Sequence, residues 1–141
     1  MSTSARRVVL VLAVLYLVAL AGIAFWPSPV DRPIDGALMR VLDWLHGYGL
    51  PAWFIGYRKV EFAANIVLFI PFGMLATLLL PARRWWLAVV AAAAVSGGIE
   101  TTQGLLLPAR VASWSDLVAN TSGALAGAAA MALMLARLRR V

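Results

Sequence analysis

The stretch Ser96-Gly-Gly-Ile-Glu100-Thr-Thr-Gln103-Gly-Leu-Leu-Leu-Pro108-Ala-Arg110-Val-Ala-Ser-Trp114-Ser-Asp116-Leu-Val-Ala-Asn120-Thr-Ser-Gly123 decides the fold. A carboxylate and a carboxamide stand about one helical turn apart. A short loop with an arginine follows, and then a second carboxylate and carboxamide, again about one turn apart. The flanking sequence is apolar enough to cross a bilayer, and charged or amide groups are costly there. The pattern predicts two membrane helices joined by a tight loop, with polar groups gathered near their shared end.

The rest of the 141-residue chain agrees. It is 63% hydrophobic, more than a soluble domain of this size can hide. The class expected is an all-α integral membrane protein, a single domain over residues 1–141. The net charge of +6 comes from 12 Lys+Arg against 6 Asp+Glu. The basic residues flank apolar segments, as topology and anionic lipid require, so nucleic acid is not the expected partner. Without cysteine there is no disulfide or thiolate chemistry, and one histidine, His46, makes no transition-metal cluster. No cofactor and no metal site are expected.

Four spans are predicted, at about 8–26, 60–80, 85–107 and 114–136. Val8–Trp26 carries no charge over 19 residues, enough to span the hydrocarbon core. A cleaved signal peptide competes for this segment, through Arg6-Arg7 and the small residues Ala19-Leu20-Ala21. The apolar run continues past that site to Trp26, which favours a retained helix. Pro27-Ser28-Pro29 ends it. In the long connection, Ile34, Leu38, Leu42 and Leu45 recur at near-helical spacing. They predict an amphipathic helix at about 34–46 on the membrane surface in the first outer loop, capped by Asp31 and broken by Gly47-Tyr48-Gly49-Leu50-Pro51. Pro81–Arg84 is read as a tight turn.

With the N-terminus inside, Arg6, Arg7, Arg83, Arg84, Arg137, Arg139 and Arg140 fall on the cytoplasmic side, and both termini are cytoplasmic. Glu61, Asn65, Glu100, Gln103, Arg110, Asp116 and Asn120 then all belong to the outer half of the bundle. Glu100 lies roughly 10 Å below the end of its helix at about 1.5 Å per residue. Asp116, Asn120, Gly123 and Gly127 share one stripe, and Glu61, Asn65, Leu68 and Phe72 another. The small residues at 123 and 127 allow close helix approach, and Pro71 opens space by removing a backbone donor.

Four roles fit this cluster. It is a structural polar core in which Glu100 or Asp116 pairs with Arg110. It is a recognition pocket for an amphiphilic ligand, with Arg110 meeting a phosphate or carboxylate. It is a catalytic site in which Glu100 or Asp116 acts as general base on a polyprenyl-phosphate-type lipid, although no Gly-x-Ser-x-Gly, His partner or Cys supports a nucleophile. Or it is an ion or proton path. Thr101, Thr102 and Ser96 are expected to bond back to their own helix. Arg58-Lys59 is expected to anchor the second span at the headgroups, and His46 to be an interfacial side chain.

At these residues the chain resembles the VanZ-like membrane proteins. The matching pieces are Asn65-Ile-Val-Leu-Phe-Ile-Pro71-Phe-Gly73, Glu100-x-x-Gln103, Arg110 and Asp116-x-x-x-Asn120-x-x-Gly123, covering residues 60–127. The resemblance implies a small helical bundle of three to five spans in the bacterial cytoplasmic membrane. The family's namesake is associated with low-level teicoplanin resistance, so the implied partners are membrane lipids, a lipid-linked cell-wall precursor or a lipoglycopeptide. The family pattern often has a Lys-x-x-His pair at the head of the second span. Here Lys59 and Glu61-Phe62 stand in that region, and a role resting on that histidine does not carry over. The oligomeric state is not implied.

Overall fold

The computed structural model describes residues 2–25, 32–51, 53–106 and 113–139, the side chains of 32–35 excepted. The described residues form five α-helices and a short 3-10 turn. The helices are α1 (Thr3–Ala24), α2 (Arg32–Gly47), α3 (Tyr57–Leu79), α4 (Leu87–Leu106) and α5 (Trp114–Leu138); the turn is Ala82–Arg84. The helix α1 starts five residues before the apolar run, because the Ser2 side chain caps it by accepting from the Ala5 N–H at 3.2 Å. Arg6 and Arg7 therefore ride on the helix rather than precede it. Asp31, the expected cap of α2, lies outside the described residues. The stop after α2 is a Schellman turn: Leu50 N–H returns to Leu45 O and Gly49 N–H to His46 O. Gly49 takes φ 89°, a conformation glycine adopts without a Cβ penalty.

Three of these helices, α1, α3 and α5, are long and apolar enough to cross a membrane. The helix α4 is 20 residues long, and its last turns carry Glu100, Thr101, Thr102 and Gln103. The large apolar side chains point outward: Val11, Leu15, Val18, Val67 and Leu133 are all more than half exposed. Apart from a few large side chains such as Leu20 and Phe69, the interior is made of small or polar residues, among them Ala88, Ala92, Ser96, Ala119, Asn120, Ala124 and Ala128. Such a distribution would aggregate in water and is the one membrane helices need, where small residues let backbones approach.

The seam between α3 and α5 is the tightest contact. A Cβ on Gly123 would collide with the Ile66 carbonyl, one on Gly127 with the Ile70 carbonyl, and one on Gly73 with the Ala124 carbonyl. The register rises together along both chains, so α3 and α5 are parallel. Ser96 meets Asn120 while Glu100 meets Ser113, so α4 runs antiparallel to α5. The helix α1 runs antiparallel to α3. The Tyr16 hydroxyl donates to Leu68 O at 2.7 Å, beside the Val67 carbonyl that Pro71 deprives of its helical donor. Leu20 packs into a core of Phe69, Phe72, Ala92 and Ala124.

One end of the bundle therefore gathers the last turns of α1 and α4 with the first turns of α3 and α5. This is the polar end. The opposite end carries Arg6, Arg7, Arg83, Arg84, Arg137 and Arg139. The helix α2 buries Leu42 and leaves Met39, Val41 and Trp44 exposed. His46 is half-buried, and its Nε2 lies 2.8 Å from Ile55 O, pinning the connection into α3.

Candidate functional site at the polar end

The site begins with Glu100, which sits half-buried near the end of α4. Its Oε2 accepts the Ser113 backbone N–H at 2.6 Å. Ser113 is the N-cap of α5 and makes no capping bond with its own side chain. A carboxylate there satisfies a backbone donor and faces the positive end of the helix dipole. Asp116 adds a second carboxylate in the first turn of α5. Ser115 Oγ donates to Asp116 Oδ1 at 3.3 Å and shares a 2.7 Å hydrogen bond with Ser113 Oγ.

Gln103 is buried one turn further along α4. Its Nε2 donates to Ala24 O at 2.7 Å, satisfying one of the orphan carbonyls at the end of α1. Asn120 is 5% exposed, and its Nδ2 donates to Ser96 Oγ at 2.9 Å. Its Oδ1 is buried and has no hydrogen-bond partner among the described residues. Turning the amide over exchanges the two atoms and orphans the donors instead. An unmet buried polar atom costs about 1–3 kcal/mol, so this amide is short of one partner.

Asn65, Glu100, Gln103, Asp116 and Asn120 line one cavity of about 60 Å³, with Ile23, Ala24, Leu68 and Phe69 among its apolar walls. That volume has room for a few waters, or one small polar group. Glu100 is also the wall of a second space of about 240 Å³, lined by Gly97, Thr101, Ser113, Trp114 and Leu117. The arrangement offers acceptors: two carboxylates and an amide oxygen. It suits a donor-bearing group with an apolar body lying against Trp114 and Leu117.

Glu61, placed by periodicity on the same stripe as Asn65, is exposed and is not among the residues lining either space. Arg110, the expected anion partner, lies outside the described residues. Thr101 and Thr102 bond back to Gly97 O and Gly98 O at 2.7 Å each, as their position in the helix predicts. Ser96 departs from that expectation: its hydroxyl is taken by Asn120 across the α4–α5 contact. Ser96 and Ser113 are the partners that sequence reasoning missed. The available signal was position: Ser96 stands one turn before Glu100, and Ser113 directly precedes α5. Among the described residues no group of three or more His, Cys, Asp or Glu is placed to hold a metal ion.

Beside this cavity lies a groove of about 590 Å³, lined by Trp53, Gly56, Tyr57, Arg58, Lys59, Phe62 and Ser115. Arg58 and Lys59 thus border a concave surface as well as flanking an apolar helix. Ser115 and Asp116 are consecutive, so the basic groove and the acidic cavity share the first turn of α5.

No match was found among curated proteins or among solved structures. A family model described as VanZ/LLP1 matches residues 13–135, from the middle of α1 into the last turns of α5. The match spans both the cavity and the glycine seam, and this membrane protein belongs to the VanZ/LLP1 family.

Proposed function

We propose that the chain crosses the bacterial cytoplasmic membrane four times and binds the polar part of an amphiphilic envelope ligand at its polar end. The ligand is a lipid-linked cell-wall precursor or a lipoglycopeptide, and glycopeptide resistance is the phenotype such binding would affect. The fourth span is α4, which lies alongside α5 and buries Ala88, Ala92 and Ser96. The arginine end faces the cytoplasm with both termini, and the polar end faces the outer leaflet. The helix α2, whose apolar and polar faces are the most sharply divided of the five helices, lies in the outer interface.

One observation carries this proposal. Five polar side chains from three helices line a single small cavity, and one of them, Asn120, has a buried atom with no partner among the described residues. Glu100 and Asp116 accept the ligand's donors. Asn65, Gln103 and Asn120 set the geometry. Arg110 remains the proposed anion partner, with Arg58 and Lys59 in the adjoining groove serving the same charge.

A structural role for the same residues has its own support, since Glu100, Gln103 and Asn120 each tie two elements together. Glu100→Gln separates the two. The amide oxygen still accepts from Ser113 N–H, while the charge is gone. Native mass spectrometry of the chain, released from nanodiscs loaded with teicoplanin, whose amine and hydroxyl groups supply donors, is the readout. Binding predicts one retained molecule on the wild type and roughly tenfold less on Glu100→Gln and Asp116→Asn, with helicity unchanged. Equal retention on all three proteins refutes the proposal and leaves the structural role.

A further inference from the structure

The arginine end contains a site of a different kind. Between the last turns of α3, the 3-10 turn and the last third of α5 lies a groove of about 610 Å³. Its walls include Thr77, Trp85, Ala132, Leu133, Ala136 and Arg139. The α5 wall runs from Ala129 to Arg139, about 15 Å at ~1.5 Å per residue. That is about the hydrocarbon thickness of one leaflet, half of a ~30 Å core. The groove is apolar along its length, and Arg139 stands at the end of its α5 wall.

Charge selects the occupant. The acidic residues of the chain are Asp31, Asp35, Asp43, Glu61, Glu100 and Asp116, and all of them fall between positions 31 and 116. Those described belong to α2 or to the polar end. Arg83, Arg84, Arg137 and Arg139 therefore have no carboxylate side chain near them among the described residues, and an anion from outside the chain suits this end. A second copy of the chain would bring its own uncompensated arginines against these and be repelled. A free phosphate would leave the apolar walls uncovered. Thr77 gives a second, independent sign. It is 2% exposed, and its hydroxyl has no hydrogen-bond partner among the described residues, although a helical threonine ordinarily bonds back one turn.

We propose that this groove holds one anionic diacyl phospholipid. One acyl chain lies along the alanines of α5, the phosphate meets Arg139, and the Thr77 hydroxyl, turned outward from its buried position on the groove wall, donates to an ester carbonyl. Trp85 sits at headgroup depth, where its ring is amphipathically matched. The site is remote from the polar end and does not depend on the ligand proposed there.

The test uses the full chain in nanodiscs of equal parts phosphatidylglycerol and phosphatidylcholine, with retained lipid counted by native mass spectrometry. One retained phosphatidylglycerol per chain is expected, at least tenfold over phosphatidylcholine. Arg139→Gln should lower that retention about fivefold, the effect of one basic residue at a lipid surface. Ala136→Phe fills the groove from an exposed position and should abolish retention with helicity intact. If Ala136→Phe unfolds, Ala132→Leu serves the same purpose, and Leu125→Phe, outside the groove, is the neutral control. Glu100→Gln should leave this lipid in place. Three results overturn the proposal: equal retention of both lipids, loss with Arg139→Gln but not with the groove-filling variants, or displacement by glycerol phosphate alone.

Discussion

Gly123→Ala puts the α3–α5 seam to a direct test. A methyl at Gly123 would lie 2.9 Å from the Ile66 carbonyl carbon and 3.0 Å from its Cα, and nearer still to the carbonyl oxygen. Non-bonded carbons pack at about 3.5–4.0 Å, and the carbonyl oxygen is the tighter obstacle, so the two helices must part by about 1 Å or more. The obstacle is backbone, which cannot rotate aside. Overpacking of this kind costs about 1–3 kcal/mol. Against it stands the better helix propensity of alanine, up to about 1 kcal/mol. The net expectation is a loss of about 1–2 kcal/mol, read from unfolding in mixed micelles by tryptophan fluorescence. Gly98→Ala is the control, because a Cβ there meets nothing within 4 Å. It gains the propensity without the clash and should stabilise by up to about 1 kcal/mol. Gly127→Ala meets the Ile70 carbonyl in the same way, and a single parting of the helices relieves both sites. The double variant should therefore cost less than the sum of the two. Equal shifts in the same direction for Gly123→Ala and Gly98→Ala would refute the close-approach account.

Tyr16→Phe removes the hydroxyl that reaches Leu68 O beside the Pro71 break; the same unfolding assay should show a loss of about 1 kcal/mol, and no change would mean the bond is idle. Gln103→Leu leaves the Ala24 carbonyl without its side-chain donor, for an expected loss of about 1–3 kcal/mol and faster amide exchange in the last turn of α1. Since the chain has no cysteine, single labels report topology cleanly. A cysteine replacing Tyr48, which is 74% exposed, should react with an impermeant maleimide on intact cells, and one replacing Arg137 should react only after permeabilisation. The reverse pattern would invert the proposed orientation.

The membrane helices were legible as apolar runs long enough to span a bilayer, and the close-packed stripe on α5 because it is periodic. Small residues four apart at Gly123 and Gly127 mean backbone proximity in lipid, whatever the partner. The convergence of Asn65, Glu100, Gln103, Asp116 and Asn120 followed from counting spans and asking which ends meet. What stayed hidden is what each polar group touches. Gln103 binds the backbone carbonyl of Ala24, and Glu100 a backbone N–H at Ser113; a backbone partner has no residue-type signature. Ser96 was assigned to its own helix because that bond is available to any helical serine, and only the proximity of α5 redirects it to Asn120. Glu61 shares a helical stripe with Asn65, yet it stands one turn nearer the start of α3, where the stripe has left the interior. Hydropathy also set the start of α1 too late. It measures the apolar run, whereas the helix begins where Ser2 satisfies a backbone donor.

The seam and the cavity are built from the same turns, which constrains what the site can do. Asn65 directly precedes Ile66, whose carbonyl rests on Gly123, and Gly123 lies three residues after Asn120. The separation of the two amides across the cavity is therefore fixed by a backbone contact that side-chain rotation cannot loosen. Pro71 and the Tyr16 hydroxyl act on the next turns of α3, on the far side of that contact. A cavity of about 60 Å³ is smaller than a whole headgroup. It admits one donor, and the remainder of any ligand must lie where the walls are open, in the space beyond Glu100 or in the groove beside Arg58 and Lys59. In the proposed binding role, a small cavity with open flanks would select on a single buried polar contact, with affinity supplied by the apolar and charged surfaces around it.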